Sequence, residues 1–212
     1  MVEEKRMAGD YEIIHAIHIG DKEVVFGSHK NNEFDLKYMC GYCIANEIFT
    51  RYDENMTSGD YLEIMKMFCD RVYKQIEFVK ADQEKVNVPM DIITAEMCYP
   101  NDYSKSIDGT VVAIKASALR NEYQTADHQL VLVTGGFGSA ANSRGTACFT
   151  TNLYSGKHSR WERYDIQGDV KPEFMPSWSK EKLAAIQAQL QKPATDKAVS
   201  YTHLTLPTIY SV

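Results

Sequence analysis

Hydrophobic and polar positions along this chain change their spacing, and each change marks a different kind of element. YEIIHAIHI (11–19) is rich in β-branched residues and reads as a strand. Gly20-Asp21 is a turn signal, and KEVVFG (22–27) reads as the hairpin partner. HKNNEFD (29–35) is a polar loop; LKYMCGYCIANEIFTRY (36–52) fits a strand at its start and a short helix at ANEIF. The spacing then lengthens. Leu62, Met65, Cys69, Val72, Ile76 and Val79 recur three or four residues apart, which puts all six on one face of a helix running to about Lys85. Lys66, Asp70, Lys74 and Glu77 fall on the opposite face. Asp60, with Glu63 three residues on, is a capping-box-like start.

After an irregular connection at 93–106 the pattern becomes β-rich. GTVVAIKA (109–116), QLVLVTGGFG (129–138), GTACFTTNLYSG (145–156) and SRWERYDIQG (159–168) read as strands joined by short glycine-bearing turns. Short, evenly spaced strands of this kind imply a small antiparallel curled sheet or barrel. PEFMPSW (172–178) is extended. SKEKLAAIQAQLQ (179–191) is a helix with Leu183, Ile186 and Leu190 on one face, stopped before Pro193. The fold class expected is α+β: an N-terminal strand hairpin with a long amphipathic helix, then a small curled sheet or barrel with a C-terminal helix. The chain divides into a frayed N-terminus (1–10), an α+β half (11–92), a β-rich half (93–168), and an extended segment with the last helix (169–198).

Composition narrows the function classes. Of 212 residues, 44% are hydrophobic and 25% charged, which is ordinary for a folded protein and argues against disorder. The net charge of −6 argues against bulk binding to a phosphate backbone, though not against a local basic patch. No run approaches the ~18 apolar residues of a membrane span. The opening MVEEKRMAGDYEII lacks the apolar core of a secretory signal, so a cytoplasmic protein is expected. The five cysteines form an odd set without secretory context and are expected to be reduced. Cys69, on the helix's apolar face, and Cys148, in a strand, read as small core residues.

Four groups of residues are candidates for chemistry. LVLVTGGFGSAA (130–141) contains T-G-x-x-G-x-x-A after a strand, as a dinucleotide-binding turn requires. The following SAANSRGTACF is made of turn formers and a new strand, however, and no crossover helix precedes the acidic Glu162. Gly135, Gly136 and Gly138 therefore read as a connection between two β-strands, with a phosphate cradle as the alternative. Cys40 and Cys43 form a C-x-x-C that could exchange disulfides at a helix N-terminus, but a hairpin precedes it rather than a β-α-β unit. Asp127-His128 is a candidate dyad without a serine placed as nucleophile, and His15 and His18 alternate to opposite faces of their strand. Finally, Arg144, Lys157, Arg160 and Arg163 mix with Trp161 and tyrosines, a combination that can stack bases and meet phosphates.

TGGFGSAANSRGTACFTTNLYSGKHSRWERYDIQG with PEFMPSWSKEKLAAIQ, and YEIIHAIHIGDKEVVFG before them, resembles a family of proteins encoded on conjugative and integrative mobile elements of gut anaerobic bacteria. The resemblance covers about residues 11–191. It implies a mobile-element accessory role and carries no catalytic residues, because the family has no established activity. The tail departs from it: VSYTHLTLPT resembles the in-frame translation of a common sequencing-library adapter, which sets residues 199–212 aside from fold reasoning.

The function expected is a non-catalytic accessory or binding module. It would contact nucleic acid, or a mobile-element protein, through Arg144, Lys157, Arg160, Trp161, Arg163 and the loop at Gly135, Gly136 and Gly138. The alternatives are a thiol oxidoreductase using Cys40 and Cys43, a nucleotide-dependent activity at the glycine loop, and a protein adaptor using the 60–85 helix. No cofactor, metal or membrane is implied.

Overall fold

The computed structural model describes residues 5–31, 33, 35–45 and 49–190. The adapter-like segment at 199–212 and the end of the last expected helix lie outside them. Two antiparallel sheets share the chain. The first is a five-stranded meander of β1 (Met7–Ala8), β2 (Tyr11–Ile19), β3 (Lys22–His29), β4 (Tyr38–Ala45) and β5 (Thr50–Ser58), each beside its sequence neighbours. The helix α1 (Tyr61–Glu84) follows these strands and packs on one face of the sheet. The N-terminal half is therefore a full sheet closed by a helix, not a hairpin with a helix. The polar run TRYDENMTS forms β5 at the sheet's edge, where both faces are largely wet and alternation is not required.

Asp60 caps α1 as its position suggests, its Oδ1 accepting from Leu62 N at 2.8 Å and Glu63 N at 3.3 Å. The buried face differs from the expected one. Ile64, Phe68, Gln75 and Val79 face inward, while Leu62 is 73% exposed and Cys69 is exposed. The helix carries two overlapping apolar stripes, and the aromatic cluster decides between them. Phe68 meets Phe26 edge-on at 6.3 Å, and Val24, Cys40 and Ile64 complete that core. Arg71 ties the helix to the strands, donating to the carbonyls of Glu54 at 2.6 Å and Cys40 at 3.3 Å.

The second sheet holds β6 (Cys98–Pro100), β7 (Val111–Ile114), β8 (Leu130–Gly135), β9 (Ala147–Asn152), β10 (His158–Glu162) and β11 (Ile166–Val170), in the order β10-β9-β8-β7-β11-β6. It is curled and open, with bulges at Val133/Gly135 and Ile166/Gly168. β7 and the LVLV of β8 are buried on both faces, which is why they read as continuous apolar runs. On one face Val111, Leu130, Leu132, Leu153 and Trp178 pack together; on the other, Val112, Ile114, Val131, Val133, Cys148 and Ile166. The short helix α2 (Ala126–Gln129) and the C-terminal α3 (Ser177–Leu190) complete the fold. The connection at 93–106 supplies β6 rather than remaining irregular throughout.

Glu122 joins the two sheets. Its Oε1 accepts from Gly20 N at 2.7 Å, in the β2–β3 turn, and its carbonyl accepts from Gln83 Nε2 at 2.8 Å, near the end of α1. No helix among the described residues is long and apolar enough to cross a membrane.

Candidate functional site

The glycine loop after β8 makes a single 3-10 turn (Phe137–Ser139) and runs on toward β9; no α-helix opens at Ser139. Its glycines serve the close approach of that next strand. Gly136 has φ +103°, and a Cβ there would sit 2.4 Å from the Ala147 carbonyl oxygen. A Cβ on Gly138 would sit 2.1 Å from the Thr146 carbonyl oxygen. The space a side chain would take at both glycines is filled by backbone, and no α-helix N-terminus follows the turn to meet a phosphate.

Arg163 holds this loop from beneath. The side chain is fully buried, at 1% exposure. Its Nη1 donates to the carbonyls of Gly138 at 3.1 Å and Ser139 at 3.4 Å. Nη2 donates to the carbonyls of Asp102 at 3.0 Å and Lys105 at 3.2 Å, and Nε donates to Asn101 Oδ1 at 2.9 Å. The guanidinium also lies 5.4 Å from the centre of the Tyr103 ring. A planar five-donor fork suits this work, and it leaves nothing for an external phosphate. Arg163 is therefore withdrawn from the expected nucleic-acid surface.

The other members of the expected basic-aromatic set separate along the β9–β10 hairpin. Trp161 turns to the face of Cys148, packs on the Val112 and Ile114 core, and donates to Ser159 Oγ at 3.1 Å. It belongs to the core edge rather than to a base-stacking surface. Arg160 pairs across the hairpin with Phe149 and forms an ion pair with Glu162 at 2.5 Å. Arg144 and Lys157 are both exposed, but at opposite ends of the hairpin: Arg144 before β9, Lys157 in the turn that leads into β10.

Two aromatic residues that the pattern did not single out stand at the surface instead. Phe137, at the tip of the glycine loop, is 84% exposed and lies against Gly145, next to Arg144. Phe149 is 54% exposed and faces the same side of the sheet as its partner Arg160. The strand alternation of Cys148, Phe149 and Thr150 contains the signal for Phe149, since the residues on either side of it are buried. Phe137 carries no such signal, because its exposure follows from the turn that Arg163 enforces. The exposed aromatic and basic residues near β9 are thus Phe149 with Arg160 across the hairpin, and, before the strand, Arg144 and the Phe137 that lies against Gly145.

The C-x-x-C pair is not a dithiol site. On a strand, residues three apart project to opposite faces. Cys40 packs with Val24 and Phe26 under α1, while Cys43 pairs in register with Glu23 on the other face. Both thiols are buried, and burial pushes both above the ordinary thiol value. Cys69, expected in the core, is exposed. Among the described residues, no three His, Cys, Asp or Glu side chains are grouped to hold a metal. Asp127 and His128 do form a pair, with Oδ2 and Nδ1 3.0 Å apart.

No family model, curated protein or solved structure matches this chain.

Proposed function

We propose that the protein is a non-catalytic binding module, an accessory of a mobile element, that holds single-stranded nucleic acid against the face around the start of β9. The observation that carries this reading is the exposed Phe149 ring opposite Arg160 across the β9–β10 hairpin, with a second exposed ring, Phe137, against Gly145. Each ring offers a stacking surface that any base can use; Arg144 can meet a phosphate, and Arg160 can do so by exchanging its Glu162 partner. The glycine loop is held by a buried arginine, so the backbone that presents Phe137 is ordered before binding. The mobile-element assignment is supported by the resemblance of residues 11–191.

Fluorescence anisotropy with a labelled single-stranded oligonucleotide tests the reading. Phe137→Ala combined with Phe149→Ala should weaken binding by about 1–3 kcal/mol per lost stack. Equal binding by the parent and the double variant would overturn it.

A further inference from the structure

β1 covers only the start of its neighbour: Met7 pairs with Glu12 and Ala8 with Tyr11. The Ile13 amide donates to the Arg6 carbonyl at 2.9 Å. Beyond it, among the described residues, β2 pairs with β3 alone. The strand is exposed from Ile14 to His18, with Ile14 at 52% and Ile17 at 40%. Its register with β3 shifts between Ile13 and His15 and is regular from His15 to Ile19. Alternate backbone N–H and C=O groups along that regular stretch therefore point outward from the sheet with no strand beside them.

The other three sheet edges are defended. β5 carries Arg51, Asp53 and Glu54 and a register shift opposite Cys40 and Tyr42. β6 has three residues and ends in Pro100. β10 carries Arg160 and Glu162 as an ion pair. Charge, bulges, proline and shortness are the means by which edges are kept from pairing. His15-Ala16-Ile17-His18-Ile19 contains no lysine, arginine, carboxylate or proline. The charges around it are matched inside the chain: Lys5 with Glu12, Arg6 with Glu23, and Asp21 Oδ1 accepting from Gln75 Nε2 at 3.1 Å. On the α1 side, His15 lies near Phe26 and Phe68, with ring centroids 5.9 and 6.5 Å apart, and Ile17 is paired with Val24. A groove of about 430 Å³ follows the strand on that side, lined by Ile14, His15, Ala16, Ile17, Met65 and Phe68.

We propose that the protein is a dimer in which β2 pairs antiparallel with β2 of a second copy, across a two-fold axis through Ile17. The regular stretch is centred on that residue. The axis sets His15 opposite Ile19 of the partner subunit, Ala16 opposite the partner's His18, and Ile17 opposite the partner's Ile17. Opposed side chains of an antiparallel pair share a face, so each meeting is apolar against apolar or against imidazole. No charged side chain of one edge faces another, which is what a self-pairing edge requires. The two sheets join into one of ten strands, and the two grooves meet on the α1 side over the Ile17 pair. The contact is isologous, and because the remaining edges are defended, assembly closes at two copies. This surface is separate from the face around the start of β9 and does not depend on it.

Sedimentation equilibrium of the full chain, with hydrogen exchange on the same samples, tests the proposal. An interface at the small end of the usual range should be populated at about 0.5 mM protein. The mass should rise toward twice that of the chain, and amides within 15–19 should exchange more slowly as concentration rises. Ile17→Lys places two like charges at the axis and should weaken the dimer at least about tenfold, with the unfolding curve of the dilute protein unchanged. Ala16→Lys, on the opposite face of the strand, serves if Ile17→Lys does not fold. A dimer whose 15–19 amides gain no protection, or parent-like dimerisation of the folded lysine variant, would overturn the proposal. A monomer at the highest concentration would also overturn it, and would leave the edge to an extended segment of another protein.

Discussion

The buried guanidinium of Arg163 donates to the Gly138 carbonyl at 3.1 Å, and so joins the end of β10 to the glycine loop after β8. With its bonds to the 101–105 segment, this one side chain ties together three stretches that are far apart in sequence. Arg163→Met should keep the volume and lose every donor. Hydrogen bonds to charged groups contribute about 1.5–3 kcal/mol each, and the loss here should exceed about 3 kcal/mol. Arg163→Lys should recover little, because one ammonium cannot span both loops as the fork does. Urea unfolding of the three proteins measures this; a loss under about 1 kcal/mol for the Met variant would show that the network is not needed.

Gly136→Ala should also destabilise, for a backbone reason. The residue has φ +103°, and the added Cβ would lie 2.4 Å from a carbonyl oxygen of β9. Positive φ alone costs about 1–3 kcal/mol, and the backbone contact adds to it, so a total above about 2 kcal/mol is expected by the same unfolding method. Gly135→Ala is the matched control, since no atom lies within 4 Å of its Cβ position and only the strained φ remains.

The sequence made some of this legible and concealed the rest, for physical reasons. β2, β3 and the β7–β8 core were readable because β-branched runs bounded by turn residues leave few alternatives. The α1 start was readable because Asp60 caps locally. The face of α1 was not, because its two apolar stripes lie side by side and Phe26, on another element, chooses Phe68. β5 was invisible because a wet edge strand needs no pattern. Arg163 looked like a surface cation, since its burial depends on carbonyls in a loop some sixty positions away, at 101–105. The candidate site moved accordingly, from charges adjacent in sequence to an exposed ring and an arginine paired across strands, Phe149 and Arg160.

Capping at the start of α1 gives a smaller, cleaner expectation. Asp60→Ala removes the acceptor for the Leu62 and Glu63 amides and should cost about 1 kcal/mol. Asp60→Asn, which keeps an acceptor, should cost only a fraction of that. Thermal unfolding compares the two, and equal losses would contradict the capping role.

Thiol chemistry separates the exposed cysteine from the buried ones. Burial raises the Cys40, Cys43, Cys98 and Cys148 thiols, so each is protonated at neutral pH and shielded. Cys69 is exposed on α1. A disulfide reagent at pH 7.5 should label Cys69 rapidly and the other four only after unfolding. Fast labelling at Cys40 or Cys43 would restore the redox alternative.

The acid limb of stability should report Glu23. The hydrogen bonds from Arg6 hold its carboxyl below the ordinary value, with Nη1 to Oε1 at 2.9 Å. A depressed folded-state value contributes stability above the unfolded carboxyl value of about 4.3, and that stability is lost as pH falls through the folded one. Glu23→Gln should therefore be less stable at pH 7 and converge toward the parent as the pH falls below about 4. A constant difference across that range would exclude the ion pair as the cause.

The central claim is that rings and arginines around the start of β9 hold single-stranded nucleic acid, and the most direct measurement is the salt dependence of that binding. With Arg144 and Arg160 as the phosphate contacts, log K against log salt should fall with a slope near −0.7 per contact, about −1.4 in all. Arg160→Ala should remove about half of that slope. Stacking on Phe137 and Phe149 should leave residual affinity at high salt. Absence of binding at low salt, or a slope unchanged by Arg160→Ala, would contradict the account.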